Sequence, residues 1–311
     1  LKKTFFSLTL LPALLCRLHA YKEFWDFIFQ DEIHISISMV RIATSSMFFH
    51  EYTCSEIFDF AESAGCNAIE FWLETPDFWL HGLPVHELKK IIAEHPTLSP
   101  VNIHSPVMDL NPCSINPDVA DISIMHTVRA VEIAESLNAS VITVHPGKRT
   151  AKRKVSETDY ERFNRYTEAV RKVAMNKTVQ VSIENMEKNV NSLLCTPERA
   201  REILDREEWL SFTFDTAHAL KESIDDAIRY INLCHDRIVN VHLSAAGKNR
   251  MHLPVSGNRD IGRILECLKS YDYKGYFTLE IEDMNYNHRL DSDEKITIIK
   301  KEISYIRKIF D

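Results

Sequence analysis

Eight short runs rich in Val, Ile and Phe, separated by longer segments of helical periodicity, constrain this chain more than any other feature of its 311 residues. The strand candidates cover residues 40–44, 68–72, 100–104, 140–145, 178–185, 210–215, 238–243 and 276–281. Most are apolar on successive positions, the pattern of parallel strands covered on both faces. Eight strand–helix repeats in about 270 residues predict an α/β fold, a single (β/α)8 TIM barrel. A doubly wound open sheet fits less well. Its first strand would lead into a Gly-rich phosphate loop, and Thr44, Ser45, Ser46 and Met47 stand there instead.

The helical segments carry start signals. Thr53 with Glu56, and Thr158 with Glu161, fit the reciprocal capping box that satisfies free N–H groups at a helix start. Thr196 precedes Pro197, an N-cap followed by a proline at the first helical position. Gly65, Asn138, Asn176 and Gly275 each stand just before a strand, where a left-handed residue would end a helix or tighten a turn.

The N-terminus reads differently. Lys2 and Lys3 precede an apolar run over residues 5–15 that is too short to span a bilayer, and Leu18, His19 and Ala20 resemble the end of a secretory signal. Met39 stands directly before the first strand. The catalytic barrel is therefore expected over 39–311, with 1–38 an N-terminal extension, either an over-long start or a signal-like segment. Seven cysteines, none in a C-x-x-C pair, favour free thiols in a reducing, cytoplasmic setting. The net charge of −8 argues against nucleic acid as a partner, and the basic run over 148–154 reads as a solvated loop. No membrane partner is expected. A homo-oligomer is, on the general frequency of symmetric soluble enzymes.

In a barrel the chemistry gathers at the C-terminal ends of the strands. Those ends carry His104, His145, Glu184, Asp215, His242 and Glu280, on strands three to eight in succession. A single acid or imidazole at a strand end is commonly a cap or a satisfied hydrogen bond. Six converging on one axis would crowd like charges together, and a cation is the simplest neutraliser. Mixed carboxylate and imidazole ligands suit Mn²⁺, Zn²⁺, Co²⁺ or Mg²⁺. Glu70, inside strand two, reads as a barrel-layer residue or cap and not a ligand.

From residue 39 onward the chain resembles the xylose isomerase-like TIM barrel superfamily. The resemblance rests on Asn-Ile-His-Ser-Pro (102–106), His-Pro-Gly (145–147), Ser-Ile-Glu-Asn (182–185), Phe-Asp-Thr-Ala-His (214–218), Val-His-Leu (241–243), His-Leu-Pro-Val-Ser-Gly (252–257) and Leu-Glu-Ile-Glu (279–282), in that order and spacing. That superfamily includes sugar isomerases and epimerases, and AP endonucleases of the endonuclease IV type.

Resemblance to the isomerases and epimerases implies one divalent metal held by Glu184, Asp215, His242 and Glu280. A sugar or sugar phosphate would then react through an enediolate. Glu184 and Glu280 would transfer the proton and His218 would hydrogen-bond a substrate oxygen. Lys248 or Arg250 would bind a substrate hydroxyl, and Trp72, with Phe48, Phe49, Phe78 and Trp79, would wall the pocket. Resemblance to the endonucleases implies the alternative, a zinc-dependent phosphodiesterase. There His104, His145 and Glu184 would hold one zinc, and Glu184 would bridge to a second on Asp215, His242 and Glu280. A third would sit on His218 and His252. Against this, Arg250 stands where that pattern has an aspartate, the loop from His242 to His252 is short, and the chain is acidic. The small-molecule reading is the expected one. A metal barrel without catalysis would have no need of both glutamates. A phosphate could sit near the loops after strands seven and eight, but no residue there fixes it.

Overall fold

Each strand run closes against its neighbour in sequence order, and the last returns to the first. In the computed structural model, which describes residues 40–310, the strands are β1 Arg41–Ser45, β2 Ala68–Trp72, β3 Asn102–His104, β4 Val141–Val144, β5 Gln180–Glu184, β6 Ser211–Asp215, β7 Ile238–Leu243 and β8 Tyr276–Leu279. All pair in parallel, and Arg41 to Thr44 register against Tyr276 to Leu279 to complete a barrel of eight. The segment 1–38, with its reading as an extension, lies outside the described residues.

The helices α1 Cys54–Ser63, α2 Pro76–Leu80, α3 Val85–Glu94, α4 Pro117–Ser136, α5 Glu157–Ala174, α6 Pro197–Arg206, α7 Thr216–Leu220, α8 Ile224–Cys234, α9 Arg259–Ser270 and α10 Ser292–Phe310 follow the strands. Among the described residues no helix is long and apolar enough to cross a membrane.

Thr53 caps α1 with Glu56 as the sequence predicts, and Thr196 caps α6 ahead of Pro197. Helix α5 starts earlier than predicted. The Asp159 carboxylate accepts from the backbone N–H of Ser156 at 2.8 Å and its hydroxyl at 2.7 Å, so Ser156 and not Thr158 is the cap. Arg149 and Arg162 also converge on that buried carboxylate, which ties the loop after β4 to α5.

Two cores result from strand alternation. Outward side chains such as Ile69, Ile103, Ile142, Ile183, Phe214, Val241 and Phe277 join the helices in one large apolar cluster. Inside the barrel, Ala43, Ala68, Val141 and Tyr276 form a separate small plug. Above it the interior is polar. Thr143 and Thr213 hydroxyls meet at 3.1 Å, Thr213 donates to Ser182 at 2.7 Å, and Asn240 donates to Glu70 at 2.6 Å. The continuous apolar runs expected from the sequence are thus alternating ones, apolar outward and polar inward.

Gly65 and Asn138 adopt the left-handed backbone expected of them, with φ of 83° and 54°. Gly275 serves a different need. A Cβ there would run into the Val239 carbonyl and the Tyr273 hydroxyl, so the residue permits close approach of β7 to the start of β8. Gly275→Ala is expected to destabilise the barrel by about 1–3 kcal/mol, measured as a lower urea midpoint with unchanged slope.

Candidate metal centre

The alternation that makes the barrel interior polar also builds the site, because the position two residues further along each strand points inward again, at the C-terminal mouth. Asn102 leads to His104, Thr143 to His145, Ser182 to Glu184, Thr213 to Asp215, Asn240 to His242 and Thr278 to Glu280. Glu70 lies one layer deeper on β2, fully buried. That polar-apolar-ionisable triplet on six strands is a sharper signal than the ionisable ends alone.

The side chains converge as three overlapping candidate groups, two that share Glu184 and a deeper one of Glu70, His104 and His242. Of the two at Glu184, one comprises Glu184, Asp215, His242 and Glu280, the other His104, His145 and Glu184, with ligand atoms in each group within 4.8 Å of one another. Glu184 faces both. Its Oε1 lies 3.2 Å from His242 Nδ1, and its Oε2 lies 2.9 Å from His145 Nε2 and 3.6 Å from His104 Nε2. Glu280 Oε2 is 3.1 Å from His242 Nδ1. Four buried atoms in this set make no well-aligned hydrogen bond: His104 Nε2, Asp215 Oδ2, and Glu184 Oε2 and Glu280 Oε2, which lie 2.9 and 3.1 Å from imidazole nitrogens. Buried polar atoms without such a bond are costly, and their convergence in one spot fits a cation that all of them could bind.

Supporting residues orient these groups. Glu70 Oε1 takes His242 Nε2 at 2.9 Å, and its Oε2 accepts from Asn240 and Thr278. A carboxylate on the far nitrogen of an imidazole is the usual way to aim the near one at a metal. The Asn185 amide clamps the Asp215 backbone, accepting its N–H at 2.8 Å and donating to its carbonyl at 2.9 Å. Asp215 in turn caps α7 by accepting the His218 backbone N–H at 2.7 Å. The His218 ring has Nδ1 2.8 Å from the Asn185 carbonyl, which leaves Nε2 free.

His252 is carried back to the site by the loop after β7. The Ala245–Leu253 bridge, the Glu282 N–H and the Asn285 side chain hold its backbone at a φ of 53°. Its Nδ1 lies 3.3 Å from Ser244 Oγ and 3.9 Å from Glu280 Oε2. Lys248 and Arg250 are exposed on the same loop, outside the cavity described below. Trp72 stacks its ring on His104, centroids 3.6 Å apart and planes within 5°. Phe48, Phe49 and Phe78 are buried in the outer core and do not line that cavity. A further group, His50, Glu51 and Asp283, already has its cation: Lys295 Nζ lies 2.7 Å from Glu51 and 3.2 Å from Asp283.

The electrostatics follow from burial and crowding. Burial opposes charge on His242, but Glu70, Glu280 and Glu184 outweigh it and hold the imidazole well above its ordinary value. Burial would likewise raise Glu184, yet His242 and His145 keep it well below the usual carboxylate range, and His242 does the same for Glu280. For Asp215 burial wins, pushing it up to about 7 against the pull of His218. Burial lowers His145. A metal taking His242 Nδ1 and Asp215 must therefore displace protons at neutral pH. Metal affinity is expected to fall as pH drops through 7, by about tenfold per pH unit for each proton displaced. Competition titrations with a chelator at several pH values measure this, and a flat profile would contradict the ligand set.

A cavity of about 360 Å³ opens beside these side chains, lined by His145 and His218 among others. That volume suits a small molecule. The cysteines other than Cys16, which lies outside the described residues, are free as predicted, and burial pushes the thiols of Cys54, Cys66, Cys113 and Cys234 up to about 12, which makes them poor nucleophiles.

Comparison with known proteins agrees with this architecture. A family profile described as xylose isomerase-like TIM barrel matches residues 58–309. An uncharacterized protein of Methanocaldococcus jannaschii is 32% identical over 274 residues, which cover 87% of this chain and all of the relative. A crystal structure of a D-tagatose 3-epimerase-like protein superposes with a TM-score of 0.68 at 20% identity, covering 86% of this chain and 99% of that one. Endonuclease IV from Thermus thermophilus superposes with a TM-score of 0.64 at 15% identity over 86% and 99%. At such identities the two structures speak to the fold alone.

Proposed function

Because the chain belongs to the xylose isomerase-like TIM barrel family, we propose that it is a divalent-metal-dependent isomerase or epimerase acting on a small sugar or sugar phosphate. The observation that carries this reading is the convergence of three buried carboxylates and an imidazole, Glu184, Asp215, Glu280 and His242, with Asp215 Oδ2 unpartnered, beside a cavity of small-molecule size. A divalent cation there would supply Lewis-acid polarisation of a substrate carbonyl, acidifying the neighbouring C–H.

The protein groups do the rest. Glu184 and Glu280 come from different strands, and both are held ionised by His242, so each is able to accept the proton on carbon. Return of a proton to the opposite face inverts that carbon. Return to the adjacent carbon moves the carbonyl instead. His218, its Nδ1 facing the Asn185 carbonyl, presents Nε2 as a donor to a substrate oxygen.

A second reading, a two-metal phosphoester hydrolase, is favoured by one observation: His104 and His145 direct their Nε2 atoms at the Glu184 oxygen that His242 does not face. The test is incubation in D₂O with a panel of ketoses and ketose phosphates, together with elemental analysis of bound metal. Deuterium entering the carbon beside the carbonyl, with about one metal per chain, is the expected result. Two or more zinc ions with hydrolysis of phosphodiesters and no exchange would replace the isomerase reading by the hydrolase.

A further inference from the structure

The loop after β4 carries Lys148, Arg149, Lys152, Arg153 and Lys154 within seven residues, and the site as described leaves this run unused. The run is not a uniform solvated stretch. Arg149 is committed to the buried carboxylate of Asp159 at 2.7 Å, whereas among the described residues no carboxylate pairs with Lys148 or Lys152. Those two line the cavity that also touches His145 and His218. Glu187 is its one acidic lining residue, so two cations face a single carboxylate in a protein of net charge −8.

The lysine at the cavity edge is held in place. The Asn111 side chain accepts the Lys148 N–H at 3.0 Å and donates to its carbonyl at 2.9 Å. Lys148 also bridges to Ser192, and the neighbouring Arg149 and Asn191 exchange hydrogen bonds at 2.9 and 3.1 Å. A second, independent feature marks a ligand position. Ser105, 1% exposed, lines the same cavity and its buried hydroxyl has no partner. A small concave site with two unpaired cations and a free hydroxyl donor attracts a compact polyanion.

We propose that this cavity recognises a phosphate monoester on the substrate, with Lys148 and Lys152 contacting the phosphate while the sugar carbons lie toward His145 and His218. The proposal rests on the reading of the barrel mouth as the substrate site, and it narrows the substrate class to phosphorylated sugars. It places the phosphate beside the β4 loop, across the barrel from the loops after β7 and β8.

The test is calorimetric binding to the full chain of four- to six-carbon sugar phosphates, each paired with its unphosphorylated parent. At least one phosphorylated sugar is expected to bind about tenfold tighter than its parent or better, the scale of one or two charge-assisted hydrogen bonds. In the Lys148→Ala/Lys152→Ala variant that preference should disappear while affinity for the parent sugar stays. Arg153→Ala/Lys154→Ala, on the same loop but outside the cavity, should retain it. Absence of preference in every pair, or preference surviving the Lys148/Lys152 change, overturns the proposal. Deuterium exchange separates the two readings. Preference without exchange removes the isomerase assignment and leaves phosphate recognition standing, and exchange without preference does the reverse.

Discussion

Glu184→Gln is expected to lower turnover by about 100-fold or more and to reduce bound metal, with the barrel still folded. Glu184 joins the Asp215–His242–Glu280 group to the His104–His145 pair, its two oxygens facing His242 on one side and His104 with His145 on the other. The amide keeps the volume and removes the charge. It also turns one oxygen into a donor that must face an imidazole nitrogen or a cation, and either contact is unfavourable. The metal-free barrel should still fold but with lower stability, because the change removes the charge that His242 and His145 hold in place. Elemental analysis, deuterium exchange and a circular-dichroism melt read the three effects separately. Turnover near the wild-type rate would remove Glu184 from both the metal set and the acid–base pair.

Glu70 should produce the second large effect, although it lies one layer below the mouth and reaches it through His242. It accepts from His242 Nε2, Asn240 Nδ2 and Thr278 Oγ1, and all four residues are buried. Glu70→Ala takes the carboxylate from His242 and Asn240 in a dry interior, leaving Thr278 only Asn240 Oδ1, with a cost of about 3–5 kcal/mol, the scale for breaking a buried charged contact from one side. Loss of orientation at His242 should weaken metal binding by about 10- to 100-fold. Glu70→Gln separates the two roles. It keeps the side-chain volume and part of the network, so stability should fall less while metal affinity still falls. A Gln variant with reduced stability and unchanged metal affinity would make Glu70 a packing residue only.

Much of the site was open to reading in the chain because the controlling physics is local. Strand alternation has a period of two, so His104, His145, Glu184, Asp215, His242 and Glu280 declare their common direction once the strands are recognised. Cap chemistry is equally short in range, and Thr53 and Thr196 start their helices where the sequence predicts. The exception, α5, turned on a choice between two neighbouring candidates. Ser156 prevailed over Thr158 because Asp159 is also held by Arg149 and Arg162, and those contacts come from folding the loop onto the helix.

Other features needed the closed barrel. Glu70 reads in sequence as an interior residue, and so it is, but its partners stand on β7 and β8, which only closure brings across from β2. Trp72 reads as a wall for a sugar, yet β2 and β3 pair in a register that lays it on His104. The run over 148–154 reads as solvated charge. Two of its lysines line the cavity because Asn111 and Ser192, distant in the chain, hold that loop in place. The repeat of strands and helices, the inward face of each strand and the ionisable residue at its end are legible in the chain, since each depends on neighbours a few positions away. Tertiary structure alone decided which of those residues share a ligand group, which carboxylate orients His242 and which lysines face the cavity, because those contacts join residues brought together only when β8 closes on β1.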